Sequence, residues 1–510
     1  MNLLHLLFTR LFSISILILL QIILFLGAIF ILSEVTPFVY IFFTAVSMVI
    51  VIYVLMNDDN PAYKLSWCIV ILMAPLFGGI LYLIFGNNRL PKQIRVRATA
   101  FNSTSLHQAY RNDHILKDLW NKDKRLGTIA RYVDEIGGFP VWENTSAEYF
   151  PSGENKFVCL IEELEKAEQY ILLEYFIIAK GRMWDTIHHI LCEKLEKGVE
   201  VYLIYDDVGC ISTLPHDYYK QLTQEGFHVK VFNPFRPRLN PFMNYRDHRK
   251  IVVIDGKTAF CGGINLADEY INEKPRFGYW KDTAVMIRGE AVWNLTETFF
   301  KMWNFCCTRN EEKVDISSYR RTIGTSFSDG YIQPFSDSPL DRENVSENFY
   351  LNVINRAKEY VYVSTPYLII DHEMQTALCL AAKNGIDVRI IVPGIPDKKT
   401  VFMVTRSYYG PLVEAGVRIY EYTPGFIHAK NMVSDDKIAQ VGTINMDFRS
   451  FYFHFECGVV FYRSGVIADI REDMERTMAD SKEITAQVVK EVPLCKRFFR
   501  AFLKIFSPMM

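Results

Sequence analysis

A chain of 510 residues exceeds what one hydrophobic core ordinarily organises, so two or three domains are expected. Its hydrophobic share of 50% is uneven and richest in roughly the first ninety residues, while a formal net charge of −2 gives no overall electrostatic footing for nucleic acid. Ten cysteines with no C-x-x-C pair and no His/Cys grouping at zinc spacing argue against a disulfide framework and a structural metal, and they read as reduced thiols.

Three apolar stretches open the chain, at about Leu11 to Leu32, Phe38 to Met56 and Trp67 to Phe85, and none contains a charge. Each approaches the roughly 20 residues a spanning helix needs. The first is too long for a signal-peptide core and ends at no clear cleavage site, so all three read as retained anchors. Pro75, Gly78 and Gly79 interrupt the third, which predicts a kink or a re-entrant turn and leaves two or three crossings open. Arg89, Lys92, Arg95 and Arg97 follow it, against Arg10 alone before the first, which places the rest of the chain in the cytoplasm. Residues 1–90 are thus expected to be a multi-pass membrane anchor, and 91–150 a connector.

Past residue 150 the pattern repeats. An amphipathic run from Val158 to Ala167 precedes an apolar strand from Tyr170 to Ile178, and Tyr350 to Ala357 precedes a strand from Tyr360 to Ile370. Each unit then has a helix ending at a glycine that releases a β-branched strand, Gly198 to Ile204 and Gly385 to Ile391. A third match sets Gly226 to Phe232 beside Gly416 to Tyr422. Strands alternating with helices, some strands apolar throughout, predict α/β units packed as pseudo-twins. The first spans 151–309 and the second 339–490, joined by a polar linker at 310–338. A basic amphipathic tail at 491–510 closes the chain, its Lys496 to Phe506 mixing cations with large apolar residues as a helix lying on a membrane surface does.

Each unit delivers a histidine, a lysine two residues on and an aspartate five further: His248, Lys250 and Asp255, then His428, Lys430 and Asp435. A spacing of two puts His and Lys on one face of a strand. A glycine turn and an asparagine follow each aspartate, Gly262-Gly263-Ile264-Asn265 and Gly442-Thr443-Ile444-Asn445. Two His, two Lys and two Asn converging from twin units make a pocket rich in donors and positive charge, which suits transfer of a phosphodiester. One imidazole must be neutral to attack phosphorus and the other protonated to release an alcohol. Each needs an orienting acid, and Asp282 and Glu456 follow the two motifs at similar distances. His454 reads as packing near the site. Neither a P-loop nor a dinucleotide fingerprint is present, so no cofactor is expected, and no metal.

These motifs resemble the phospholipase D superfamily, whose signature H-x-K-x4-D with a following glycine turn and Asn occurs here twice. Within it, Asn244 to Lys250, Gly425 to Lys430 and Gly442 to Ser450 look like the bacterial cardiolipin synthases, and Asn60 to Trp67 resembles their anchor region. The resemblance implies two tandem phospholipase D-like domains, each a mixed sheet flanked by helices, behind transmembrane helices in a bacterial cell membrane. It implies transfer of a phosphatidyl group between two molecules of phosphatidylglycerol, giving cardiolipin and glycerol through a phosphohistidine. His248 would be the nucleophile and His428 the acid, with the reverse left open. Lys250, Lys430, Asn265 and Asn445 would hold the phosphate, while Asp255 and Asp435 support the motif. One departure is Gly263, where the wider family often has Ser. With water or another alcohol as acceptor the same site would be a phospholipase D or a different phosphatidyl transferase. The partners implied are the bilayer and these lipids, not nucleic acid, and the oligomeric state stays open.

Overall fold

Alternation along Tyr170–Tyr175 sends Ile171 and Leu173 to one face of a sheet and Tyr170 and Leu172 to the other, and both sets are buried. A strand covered on both sides belongs inside a layered α/β unit. The computed structural model describes residues 37–75, 78–86, 92–103, 110–235, 244–308, 311–321 and 329–509, with Ile23 and Gly27. Its first sheet orders Thr145–Phe150, Ala284–Gly289, Thr258–Gly262, Lys250–Ile254, Tyr170–Tyr175, Glu200–Asp206 and His228–Phe232. The second repeats that order with Tyr331–Asp337, His454–Tyr462, Ile438–Gly442, Asn431–Ser434, Tyr360–Ser364, Asp387–Pro393 and Arg418–Tyr422, and adds Ser481–Ile484 at its edge. In both, the last three of the seven run parallel and the other neighbours antiparallel. Two mixed sheets of one topology are the tandem fold that the repeat predicts.

Helices Gly153–Glu165 and Arg182–Glu196 cover the outer face of the first sheet through Leu160, Leu164, Ile187 and Leu191. The inner faces meet each other. Leu172, Val253 and Val285 from the first sheet share one core with Tyr362, Val433 and Val459 from the second, with helix Val292–Cys306 packed into it. The glycines that end the second helix of each unit, Gly198 and Gly385, have φ of +84° and +89°, a backbone that costs residues with a β-carbon strain.

Two boundaries differ from the expectation. Thr145–Phe150 is an edge strand inside the expected connector, and Tyr331–Asp337 is one inside the expected linker. Both are short and carry polar residues, so neither makes an apolar run. The strand expected to reach Ile370 stops at Ser364 and resumes at Leu368–Ile369 around Pro366, which has no N–H for the ladder. The connector helices Asp113–Lys122 and Lys124–Glu135 pack Leu119, Leu126 and Val133 into the core of the second unit, not the first.

At the N-terminal end, the first expected span lies outside the described residues except for Ile23 and Gly27. The second is the helix Pro37–Met56, whose side chains are described from residue 41 onward. The third is broken into Pro61–Met73, Gly78–Leu81 and Tyr82–Gly86, and the chain doubles back so tightly that a β-carbon at Gly78 would sit 2.4 Å from Ile71 Cα. Among the described residues no helix is long and apolar enough to cross a membrane. Asn60 donates to Asp371 at 3.1 Å and to Tyr452 at 2.9 Å, docking this segment on the second unit.

The motif aspartates hold the fold. Asp255 accepts from the backbone N–H groups of Glu168, Gln169 and Tyr170 at 2.8 to 2.9 Å, and Asp435 from those of Lys358, Glu359 and Tyr360 at 2.9 to 3.0 Å. Each ties the turn after the H-x-K strand to the start of its neighbour, from a left-handed φ of +52° or +54°. Arg125 of the connector also pairs with Asp435. Burial alone would raise the Asp435 carboxyl, but the N–H groups of Tyr360, Glu359 and Lys358 and the Arg125 guanidinium outweigh it and hold it low. A depressed carboxylate stabilises the fold above its unfolded value near 3.9 and loses that contribution as pH falls through the lower folded value. Asp435→Ala is therefore expected to cost about 3 kcal/mol at pH 7. The difference from wild type, read from denaturant unfolding, should shrink below about pH 4.

Candidate active site

Each motif histidine follows a short strand that pairs across the unit boundary. Arg246–Asp247 runs parallel to His454 and Phe455 of the second unit, and Gly425–Ile427 runs parallel to Tyr279–Lys281 of the first. The ladder then carries the N–H of His248 to Phe455 O at 3.0 Å and that of His428 to Lys281 O at 2.7 Å. One residue past each of those carbonyls stands an acid. His248 Nδ1 lies 3.0 Å from both oxygens of Glu456, and His428 Nδ1 lies 2.6 Å from Asp282 Oδ2. The two acids named from sequence are thus the partners of the two histidines, but crosswise: each unit orients the imidazole of the other. All four side chains are buried.

His248 stands in the gap between the strands Arg246–Asp247 and Lys250–Ile254, and His428 and Lys430 in the gap between Gly425–Ile427 and Asn431–Ser434, so the single strand face expected for each pair is interrupted; each lysine ammonium donates to the carbonyl oxygen of its own histidine. Burial pushes Lys250 down to about 8 and Lys430 to about 7. Burial, with both lysines, also holds His248 and His428 well below the usual imidazole value. Each lysine acts on both imidazoles, which places all four groups in one field. Burial raises Asp282 to about 6 against the pull of Lys430. With Nδ1 taken by an acid in both rings, Nε2 is the atom left to meet phosphorus or pass a proton.

The remaining motif residues divide. Asn265 is spent within the first unit, accepting from the N–H of Ile177 at 2.9 Å and donating to the Tyr270 hydroxyl at 2.7 Å. Asn445 is buried with its Oδ1 making no hydrogen bond. Asp255 and Asp435 stand beyond the far ends of the strands Lys250–Ile254 and Asn431–Ser434, each seven residues or roughly 23 Å of extended chain past its histidine, so they act on the scaffold and not on the reacting atoms. The odd glycine has a steric reason: a β-carbon at Gly263 would lie 2.1 Å from Asp282 Oδ1. Thr443, its counterpart, donates its hydroxyl to Glu456, and Ser450 adds a second at 2.7 Å.

Three further side chains border the site: His454, expected from sequence to pack near it, and Tyr270 and Lys156, which the sequence reading passed over. His454 has its ring 5.5 Å from that of His248, and neither nitrogen makes a hydrogen bond. Tyr270 packs 5.6 Å from His428. Lys156 is buried near Asp282, with its pKa pushed down to about 7 by burial. The signal for Lys156 was present, since it lies on the stripe of Leu160 and Leu164 that a helix turns inward. No comparable signal marks Tyr270.

Twin mixed sheets that bring two acid-oriented imidazoles and two lysines into one buried cluster define the phospholipase D-like class. Residues 160–303 and 350–478 match the family described as Cardiolipin synthase, PLD-like domain, and residues 45–87 match Phospholipase D-nuclease N-terminal. A cardiolipin synthase of Alkalihalophilus pseudofirmus is 33% identical over 92% of this chain and 93% of that protein. An uncharacterized protein of Streptococcus mutans is 43% identical over 90% of this chain and 99% of that one. The crystal structure of the phosphatidylserine synthase of Haemophilus influenzae aligns with a TM-score of 0.57 and 15% identity, covering 74% of this chain and 99% of that one, which is a likeness of fold. The chain belongs to the cardiolipin synthase family of phospholipase D-like phosphatidyltransferases.

Proposed function

We propose that this pocket moves the phosphatidyl group of one phosphatidylglycerol onto the terminal hydroxyl of a second, giving cardiolipin and glycerol through a phosphohistidine at His248. The observation that carries the reading is the pair of imidazoles in one buried field, each fixed through Nδ1 by an acid of the opposite unit. In the first step His248 Nε2 bonds to phosphorus, the P–O bond to glycerol breaks, and protonated His428 gives its proton to the departing oxygen. In the second, the new alcohol yields its proton to neutral His428 as its oxygen attacks phosphorus, and the N–P bond breaks to restore His248. Burial and the lysines keep both imidazoles neutral in the lipid-free pocket. The anion of a bound phosphodiester opposes the lysine charges and returns one proton to the pair. Lys250, Lys430 and Asn445 meet the non-bridging oxygens, where negative charge builds.

The N-terminal segment serves in this reading as the anchor, with both catalytic units on the cytoplasmic side of a bacterial cell membrane. Support comes from the uncharged helix Pro37–Met56, on which Ile41, Phe42, Val49, Ile52 and Leu55 are exposed, and from the basic residues after Phe85. Detergent-solubilised chain given phosphatidylglycerol alone, in EDTA and without nucleotide, is expected to form cardiolipin and glycerol in equal amounts. Phosphatidic acid as the main product would make the enzyme a hydrolase, and no product would overturn the reading.

A further inference from the structure

A second cavity, of about 450 Å³, lies away from the histidines between the C-terminal helix Leu494–Ile505 and the second unit. Five cations line it: Arg406, Lys482, Arg497, Arg500 and Lys504, with Glu421 the one carboxylate among the lining residues. That carboxylate is already engaged. Arg406 grips it with two bonds, of 2.8 and 2.7 Å, and the Tyr409 hydroxyl donates to it at 3.0 Å. Neighbouring acids are committed elsewhere, Glu483 to Arg418 at 2.9 and 3.0 Å and Glu491 to the Gln487 amide at 2.7 Å. Lys504 rests over the Tyr408 ring at 3.8 Å, and Arg500 shares the cavity lining with Arg406. Burial lowers the pKa of both Arg500 and Lys504, and Arg406 adds to the effect on Arg500. Like charges crowded into a half-buried concavity raise one another's energy, and an anion placed among them reverses the sign of that interaction.

The other side of the same helix is apolar and open. Leu494 and Phe498 are 79% and 77% exposed, and Phe499 and Phe502 are also exposed. The helix touches Pro61–Met73, where the Ser66 hydroxyl donates to Ile505 O at 2.5 Å, and Leu65, Leu72 and Met73 of that segment are exposed as well. Cations on one side of a helix with exposed Phe and Leu on the other, and Ile484, Val488, Val489 and Val492 among the cavity's own lining, fit an anionic head whose chains leave through apolar surroundings.

We propose that this cavity is a non-catalytic phosphate site that seats the headgroup of an anionic phospholipid and thereby clamps the C-terminal helix to the second unit. The shared chemistry is a phosphate oxyanion between Arg497, Arg500 and Lys504 of the helix and Arg406 and Lys482 of the second unit. A lipid supplies it from the bilayer, whereas inorganic phosphate supplies it from solution. Nothing in this depends on which reaction the histidines perform.

The test follows thermal unfolding of the detergent-solubilised full chain carrying His248→Ala, titrated with dioctanoyl phosphatidylserine, dioctanoyl phosphatidylcholine or inorganic phosphate. Phosphatidylserine is expected to raise the midpoint, at a concentration that Arg500→Gln with Lys504→Gln shifts upward about tenfold or more. Phosphatidylcholine should be weaker, and Lys504→Arg should retain the response. A response to inorganic phosphate equal to that of phosphatidylserine supports the site with the free anion as its occupant. Identical titrations in the parent and the Gln variants overturn the proposal, as does an equal response to phosphatidylcholine.

Discussion

A His428→Ala variant given a phosphatidyl ester of p-nitrophenol is expected to release one equivalent of p-nitrophenol per active site and then stop. That leaving group departs as its anion and needs no acid, so the first step survives the loss of His428. The second step does not, because the incoming hydroxyl has lost its base, and the phosphohistidine accumulates. His248→Ala should show no burst at all. With phosphatidylglycerol, whose glycerol leaves only when protonated, both variants should lose at least about a thousandfold in kcat. Stopped-flow absorbance gives the burst, and mass measurement of the peptide holding His248 gives the adduct. A burst in His248→Ala with none in His428→Ala would exchange the two roles and sink the assignment of His248 as nucleophile.

Much of this arrangement was legible because it is local. The spacing of two between His248 and Lys250 already marks the pair as near neighbours in the site, and Gly198 and Gly385 mark helix ends by a backbone requirement that acts within a few residues. The repeat was readable for the same reason, since matched strands carry matched apolar runs. What stayed hidden is carried by pairing at long range. Arg246–Asp247 is a two-residue strand whose partner lies some two hundred residues away, and no periodicity can form in two residues. Asp282 and Glu456 were therefore recognisable as acids of the site, but not as belonging to the opposite histidine. Arg125 looks from sequence like part of a connector, yet it closes the turn of the second motif through Asp435.

The swapped strands also explain why the catalytic unit is the pair and not the domain. Each imidazole depends on a carbonyl and a carboxylate from the other half, so neither half-site is complete alone. The halves are not equivalent, however. Glu456 accepts from His248, Thr443 and Ser450, which keeps a buried carboxylate well satisfied. Asp282 has His428 and one backbone N–H, from Thr283 at 2.8 Å, with the bare Gly263 beside it. The acid with more hydrogen-bond donors stands behind the histidine assigned to attack, and Asp282, raised to about 6 by burial, behind the histidine assigned to exchange a proton.

That asymmetry yields an outcome opposite to the one expected if each acid served the histidine of its own motif. Glu456→Gln, although it lies in the second unit, is expected to slow the p-nitrophenol burst itself by about a hundredfold to ten-thousandfold, because His248 loses both its orientation and its tautomer. Asp282→Asn should leave the burst within a few-fold of wild type while slowing the subsequent turnover by a similar large factor, since it acts through His428. Turnover in the wild type should also fall as pH drops through about 6, where Asp282 gains a proton and ceases to accept from the imidazole. The raised Asp282 carboxyl opposes folding when ionised, so its contribution to stability declines as pH rises through about 6. Asp282→Asn is accordingly expected to unfold no earlier than wild type at pH 7, which separates a catalytic loss from a failure to fold. Combining Glu456→Gln with His248→Ala should cost little beyond His248→Ala alone, as coupled groups do, whereas a full additional loss would show that Glu456 acts elsewhere.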